Sequence, residues 1–190
     1  MTKYDKWILT YSGHRFSFVY PENNVYDIKD IAHALAMTCR FGGMTQWHYS
    51  VAQHSCHIAE ELFRETGDPW LAMDGLMHDA EEAYMGDMKT PLKEMMPEFQ
   101  EISKHVDYEI RKMFRCFGVP HEMQPRTKEY DTRILLDEKI YLLPQNGIAW
   151  DIEKTHSPLG IHIPQMSPSL AEQRFLELFK FYSSVYGARP

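Results

Sequence analysis

The chain has 190 residues, 44% of them hydrophobic and 25% charged, with a formal net charge of −7. That length and balance fit one compact domain with its own core, and no apolar run approaches the ~18 residues of a membrane span. The acidic balance argues against broad electrostatic binding to duplex nucleic acid or to an anionic membrane.

The N-terminal stretch "MTKYDKWILTYSG" has neither the apolar core nor the cleavage pattern of a signal peptide. Cys39, Cys56 and Cys116 show no CxxC spacing and are expected as reduced thiols of a cytoplasmic protein. Residues 7–20 carry β-branched and aromatic side chains around Ser12-Gly13, which predicts a short β-hairpin. From there the pattern turns helical. Asp27 should cap a first helix, with Ile28, Ile31, Leu35 and Cys39 on one face and Gly42-Gly43 at its end. Ser50 and Gln53 form a capping-box pattern for a second helix, which Gly67 should close. Asp68-Pro69 opens a third, expected to run to about Tyr84.

Thr90-Pro91 starts a short fourth helix. Phe99, Ile102, Val106, Ile110 and Met113 mark a fifth, stopping near Gly118, and residues 127–143 form a sixth. Six prolines and glycines make 144–168 an irregular crossing, after which Ser169 and Glu172 should cap a last helix with Phe175, Leu178, Phe179 and Tyr182. The expected architecture is an all-α helical bundle of six to seven helices with a small N-terminal β-hairpin. It forms a single domain over 1–190: a β element at 1–24, catalytic helices at 27–143, and the crossing with the C-terminal helix at 144–190.

Three of these helices aim a polar residue inward. His54 lies three after Val51 and four before Ile58, His78 lies seven after Leu71 with Asp79 beside it, and Asp131 precedes Ile134 and Leu135. Unpaired, such groups would be costly to bury, whereas a shared divalent cation would satisfy them together. Two imidazoles and two carboxylates suit a transition metal: Mn, Fe, Co, Ni or Zn. Asp137, on the same helix as Asp131, is an alternative to it. Glu82 follows His78 by four and should lie about 6 Å along the same flank, placed to accept a proton. Glu81, one position off, is expected to face solvent, and Asp87 follows Gly86 in a loop that could return over the cavity. His33 is expected to tie the first helix to the core, and His57 to be a packing or surface residue.

The stretches "SVAQHS", "HDAEEAYMGDMKTPLK" and "EYDTRILLDE" together resemble the H…HD…D signature of the HD-domain metal-dependent phosphohydrolases. With the lead-in "YSGHRFSF…DIAHALAMTCRFGG", the resemblance is to the small 5′-deoxynucleotidase branch and its phage-type dATP triphosphohydrolase relatives, over roughly residues 10–145. It implies His54, His78, Asp79 and Asp131 as ligands of one divalent ion, Glu82 as the catalytic carboxylate and Asp87 as the residue that places the attacking water. Arg40 matches a phosphate-binding arginine. Phe41 stands where the deoxynucleotidases often carry Trp against the sugar, and Lys93 is a further candidate for a phosphate.

The resemblance further implies a small nucleotide as partner, a second ion such as Mg if the substrate is a triphosphate, and assembly as a dimer or hexamer. It also implies a cytoplasmic location, that of the host if phage-encoded. Removal of one phosphate and removal of all three stay open. The alternatives are a hydrolase of another phosphorylated metabolite, a non-catalytic nucleotide sensor on the same fold, and a nucleic-acid-binding helical protein. A sensor needs no proton-transfer carboxylate, and a nucleic-acid binder would show a basic stripe that the sequence lacks.

Overall fold

Local caps set most of the helix starts. In the computed structural model, which describes residues 6–116 and 124–186, Asp27 accepts from the Lys29 amide and opens α1 (Ile28–Met37). Ser50 accepts from the Gln53 amide at the head of α2 (Val51–Thr66), and Gly67 closes that helix in the left-handed conformation. Asp68 accepts from the Trp70 amide and Pro69 takes the first position of α3 (Pro69–Met77). The short helices α4 (Glu82–Met85) and α5 (Thr90–Lys93) lead into α6 (Pro97–Met113), α7 (Gln124–Leu142) and α8 (Pro168–Tyr186).

Ahead of them, β1 (Trp7–Leu9) and β2 (Arg15–Ser17) pair antiparallel, with Ile8 opposite Phe16. Phe16 is fully buried and stacks on Tyr84 of α4 at 4.0 Å, while the Ser12 amide in the turn donates to Asp30 of α1 at 2.6 Å. The hairpin is thereby pinned over α1 and α4.

The core lies where α1, α2, α3 and α8 meet, around Ile31, Leu35, Val51, Leu76, Met77 and Phe175. Gly75 lets α3 ride directly on α2: a Cβ there would stand 2.6 Å from Leu62 Cδ1 and 3.0 Å from Ile58 Cγ2. α7 covers the other side of α2, with Tyr130 and Ile134 against Ile58, Leu62 and Leu71. No described helix is long and apolar enough to cross a membrane.

Several boundaries differ from the sequence reading. The first helix ends at Met37 rather than at Gly42-Gly43, because Arg40–Gly43 form a separate 3₁₀ turn with Phe41 and Gly42 both left-handed. The third helix breaks after Met77: residues 78–81 pass through i→i+3 bonds, with the Ala80 amide on Met77 and the Glu82 amide on Asp79. Gln53 does not complete its capping box, since its amide nitrogen donates to Pro164 O at 2.8 Å and so anchors the 144–168 crossing. The last helix is capped two residues early, by the Ser167 hydroxyl accepting from the Leu170 amide at 3.3 Å. Glu172 is instead drawn to His33, whose Nδ1 lies 3.0 Å away, so His33 does tie α1 into the fold through α8. The expected stop near Gly118 lies outside the described residues.

Candidate active site

His54 on α2, His78 and Asp79 just past α3, and Asp131 on α7 converge, because α2 is packed between α3 and α7. One ligand atom each of His54, His78 and Asp131 falls within a sphere where all lie within 4.8 Å of one another. Asp79 reaches the same point: its Oδ2 is 3.1 Å from His78 Nε2 and 3.7 Å from His54 Nε2. Asp131 Oδ1 lies 3.3 Å from His54 Nε2 and 3.9 Å from His78 Nε2, while its Oδ2 accepts from Lys128 Nζ at 2.6 Å.

The imidazoles are oriented from behind. His78 Nδ1 donates to the Gly75 carbonyl at 2.8 Å, and His54 Nδ1 donates to the Glu138 carboxylate at 2.6 Å. Both Nε2 atoms are buried without any partner in hydrogen-bond geometry. In the neutral rings those atoms carry lone pairs, and a partner behind each Nδ1 is the arrangement that fixes a metal-ligating tautomer.

The electrostatics agree. Burial works against charge on His78, yet the Asp79 carboxylate beside it, aided by Asp131, holds its pKa well above the usual imidazole value. Burial alone would raise Asp131, but the adjoining His54 and His78 rings hold it well below the carboxylate range. The cluster thus draws a positive charge to its centre, and the group His54, His78 and Asp131 could hold a metal ion.

Around it sit three acids. Glu82 is buried, its Oε2 has no partner, and desolvation followed by the charges of Asp79 and Asp87 pushes its pKa well above normal. Asp87 returns over the site as the loop reading expected, and its Oδ2 accepts from the Phe41 amide at 3.1 Å. Glu81 corrects the sequence reading: it is buried rather than solvent-facing. The tighter turn at 78–81 swings it inward, where Oε1 accepts from Ser103 at 3.2 Å and faces Lys93 Nζ at 3.6 Å.

Arg40 is buried below these groups. Its Nη1 is 3.4 Å from Asp79 Oδ2 and its Nη2 3.4 Å from Glu138 Oε2, so it spans the ligand cluster and its support. Lys93 lines two adjoining cavities that share His78 and Glu81, of about 300 and 480 Å³; the larger also takes in Asp79, Asp131, Lys128 and Arg111. Asp137 serves elsewhere: it accepts the amides of Leu159, Gly160 and Ile161 at 2.7–3.0 Å. His57 is near His54, and burial lowers its pKa to about 4.

Sequence reasoning passed over Glu138. The signal was present, since Glu138 follows Asp131 by seven residues, two helical turns, and so shares its face.

A family described as YfbR-like 5′-deoxynucleotidase matches residues 46–141, which hold His54, His78, Asp79, Glu82, Asp87, Asp131 and Glu138. The chain belongs to that family. Membership implies a phosphohydrolase within the HD-domain group, whose members use divalent metals. Among relatives, an uncharacterized protein of Escherichia coli, YfdR, is 31% identical over 94% of this chain and 97% of its own. An uncharacterized protein of Rhodobacter capsulatus is 41% identical over 46% of each chain.

Proposed function

We propose that the protein hydrolyses deoxynucleotide phosphate esters with one divalent transition ion, as a 5′-nucleotidase of deoxynucleoside monophosphates. The observation that carries this is the pair of buried, partnerless Nε2 atoms converging with Asp79 and Asp131, beside Glu82, a buried carboxyl with an unpartnered Oε2 whose proton affinity its surroundings raise. His54, His78, Asp79 and Asp131 would hold the ion, and their N/O donor set suits Mn, Co, Fe, Ni or Zn. When bound, such an ion neutralises phosphate charge and acidifies water.

The chain supplies the rest. Glu82, desolvated and close to Asp87, accepts the proton of the attacking water and returns it to the leaving oxygen, and Asp87 places that water. Arg40 and Lys93 take phosphate oxygens, and Glu138 keeps His54 in register. Phe41 bounds the sugar side.

A second reading, release of triphosphate with Mg as a second ion, is favoured by the larger cavity. Its lining carries Lys93, Lys128 and Arg111, with Lys128 already on Asp131 at 2.6 Å, and these cations would accept further phosphates. Assembly as a dimer or hexamer is supported by Phe181 and Val185, exposed on α8, and is tested by light scattering.

The deciding experiment is a screen of deoxynucleoside mono- and triphosphates with Mn, Co, Zn and Mg, separating phosphate from triphosphate. Glu82→Gln should lose turnover by at least 10²-fold while metal content stays, and Asp79→Ala should lose the metal. A fully active Glu82→Gln protein would remove the assigned role.

A further inference from the structure

On the Phe41 side of Arg40 stands a second aromatic ring, Trp150, with no role in the site described so far. The Arg40 guanidinium, 3.4 Å from Asp79, lies 5.8 Å from the centroid of the Phe41 ring. Beyond Phe41 stands Trp150, contributed by the 144–168 crossing, with ring centroids 6.4 Å apart and planes inclined at 37°. Both rings are half-buried, and neither stacks on the other.

Each ring is held from outside the pair. Phe41 sits at φ 56°, a left-handed conformation rare for a bulky side chain, with its amide bound to Asp87 at 3.1 Å. Trp150 is backed by Lys139 Nζ, 5.3 Å from its ring centroid. Lys139 is itself fixed by Ile148 O at 2.6 Å and by Glu153, and the Trp150 amide donates to Glu153 Oε1 at 2.8 Å. The indole is therefore ordered before anything binds, which lowers the entropy cost of stacking on it.

We propose that Trp150 contacts the nucleobase of the substrate, forming with Phe41 an aromatic platform on the nucleoside side of the site. An aromatic face accepts any base by stacking, without hydrogen-bond readout. The platform reaches the phosphate site through Arg40, so one ligand with a charged end and a flat apolar end would meet both. Residues 41 and 150 both lie outside the matched stretch 46–141, so this contact belongs to the chain's flanking segments.

The inference rests on the nucleotide-hydrolase reading, and the test separates the two. Glu82→Gln protein loaded with Mn is titrated with dAMP and with 2-deoxyribose 5-phosphate, by equilibrium dialysis and by tryptophan fluorescence. dAMP should quench emission and the base-free ester should not. Trp150→Leu should weaken dAMP at least tenfold and leave the base-free ester within twofold. Trp150→Phe should keep dAMP affinity in dialysis while abolishing the quench, which places the ligand at the indole even if the leucine variant does not fold. Equal weakening of both ligands, unchanged dAMP affinity in Trp150→Leu, or a quench that survives in Trp150→Phe overturns the proposal alone. If the unmutated chain neither binds nor hydrolyses any nucleotide, the underlying reading falls and the proposal with it.

Discussion

Glu138→Gln is the sharpest probe of how the site is held. Glu138 is wholly buried, accepts from His54 at 2.6 Å, and lies 3.4 Å from both Nε and Nη2 of Arg40. Glutamine keeps the volume. Its carbonyl can still take the imidazole proton, but as a neutral acceptor, at a loss of about 1 kcal/mol. Its amide then turns donors toward a guanidinium that also donates. Breaking a buried pair outright costs about 3–5 kcal/mol, and Asp79, still 3.4 Å from Arg40, offsets part of that. The expected total is about 2–4 kcal/mol in urea unfolding of the metal-free protein. Metal affinity, measured by competition with a chromophoric chelator, should fall about 10–100-fold as His54 loses its support. In the Arg40→Met background the same substitution should cost at least ~1 kcal/mol less, since no buried cation is stranded. Unchanged stability together with unchanged metal affinity would refute the claim that Glu138 braces His54 and balances Arg40.

Glu81 predicts a pH effect. Burial, then Asp79 and Asp107, push its carboxyl up to about 7, against about 4.3 when exposed. The folded state binds this proton more tightly, so the stability it confers is full below about 4.3 and is lost as pH rises through about 7, on the order of 3 kcal/mol. Metal-free Glu81→Gln should therefore outlast the parent at pH 8 and match it near pH 4.5; parallel pH profiles would count against this. Gly75→Ala meets Leu62 and Ile58, and overpacking outweighs the gain in helix propensity by about 1 kcal/mol. Thermal melts should show the loss. Cys56 and Cys116 are buried thiols, the latter pushed up to about 12, so iodoacetamide on the native protein at pH 8 should mark Cys39 first by peptide mass mapping.

What could be read from sequence was what is encoded locally. Asp27, Ser50, Gly67 and Asp68-Pro69 act within one turn of chain, and each sits at the boundary expected of it. Helical spacing also brought His54, His78 and Asp131 to an inward face, where the fold gathers them. The reading slipped where tertiary demands override a period. Residues 78–81 tighten to i→i+3 bonds, and that small change in winding carries Glu81 from the solvent side into contact with Ser103 and Lys93. Ser169 and Glu172 match a capping motif, but Glu172 gains more from His33, 139 positions away in the chain, than from its own helix end. Partners at that separation leave no local trace.

Gly75 serves two purposes at once. Its bare α-carbon sets how closely α3 approaches α2, and its carbonyl orients His78, while α2 carries His54. The gap between the two imidazoles therefore depends on how closely the bare α-carbon of Gly75 settles against Leu62, Ile58 and the Ala59 main chain of α2. Drift elsewhere in the core can change the bulk of the bundle without re-spacing the rings, and a larger residue at this one position would widen the jaws of the site and loosen the core in the same stroke.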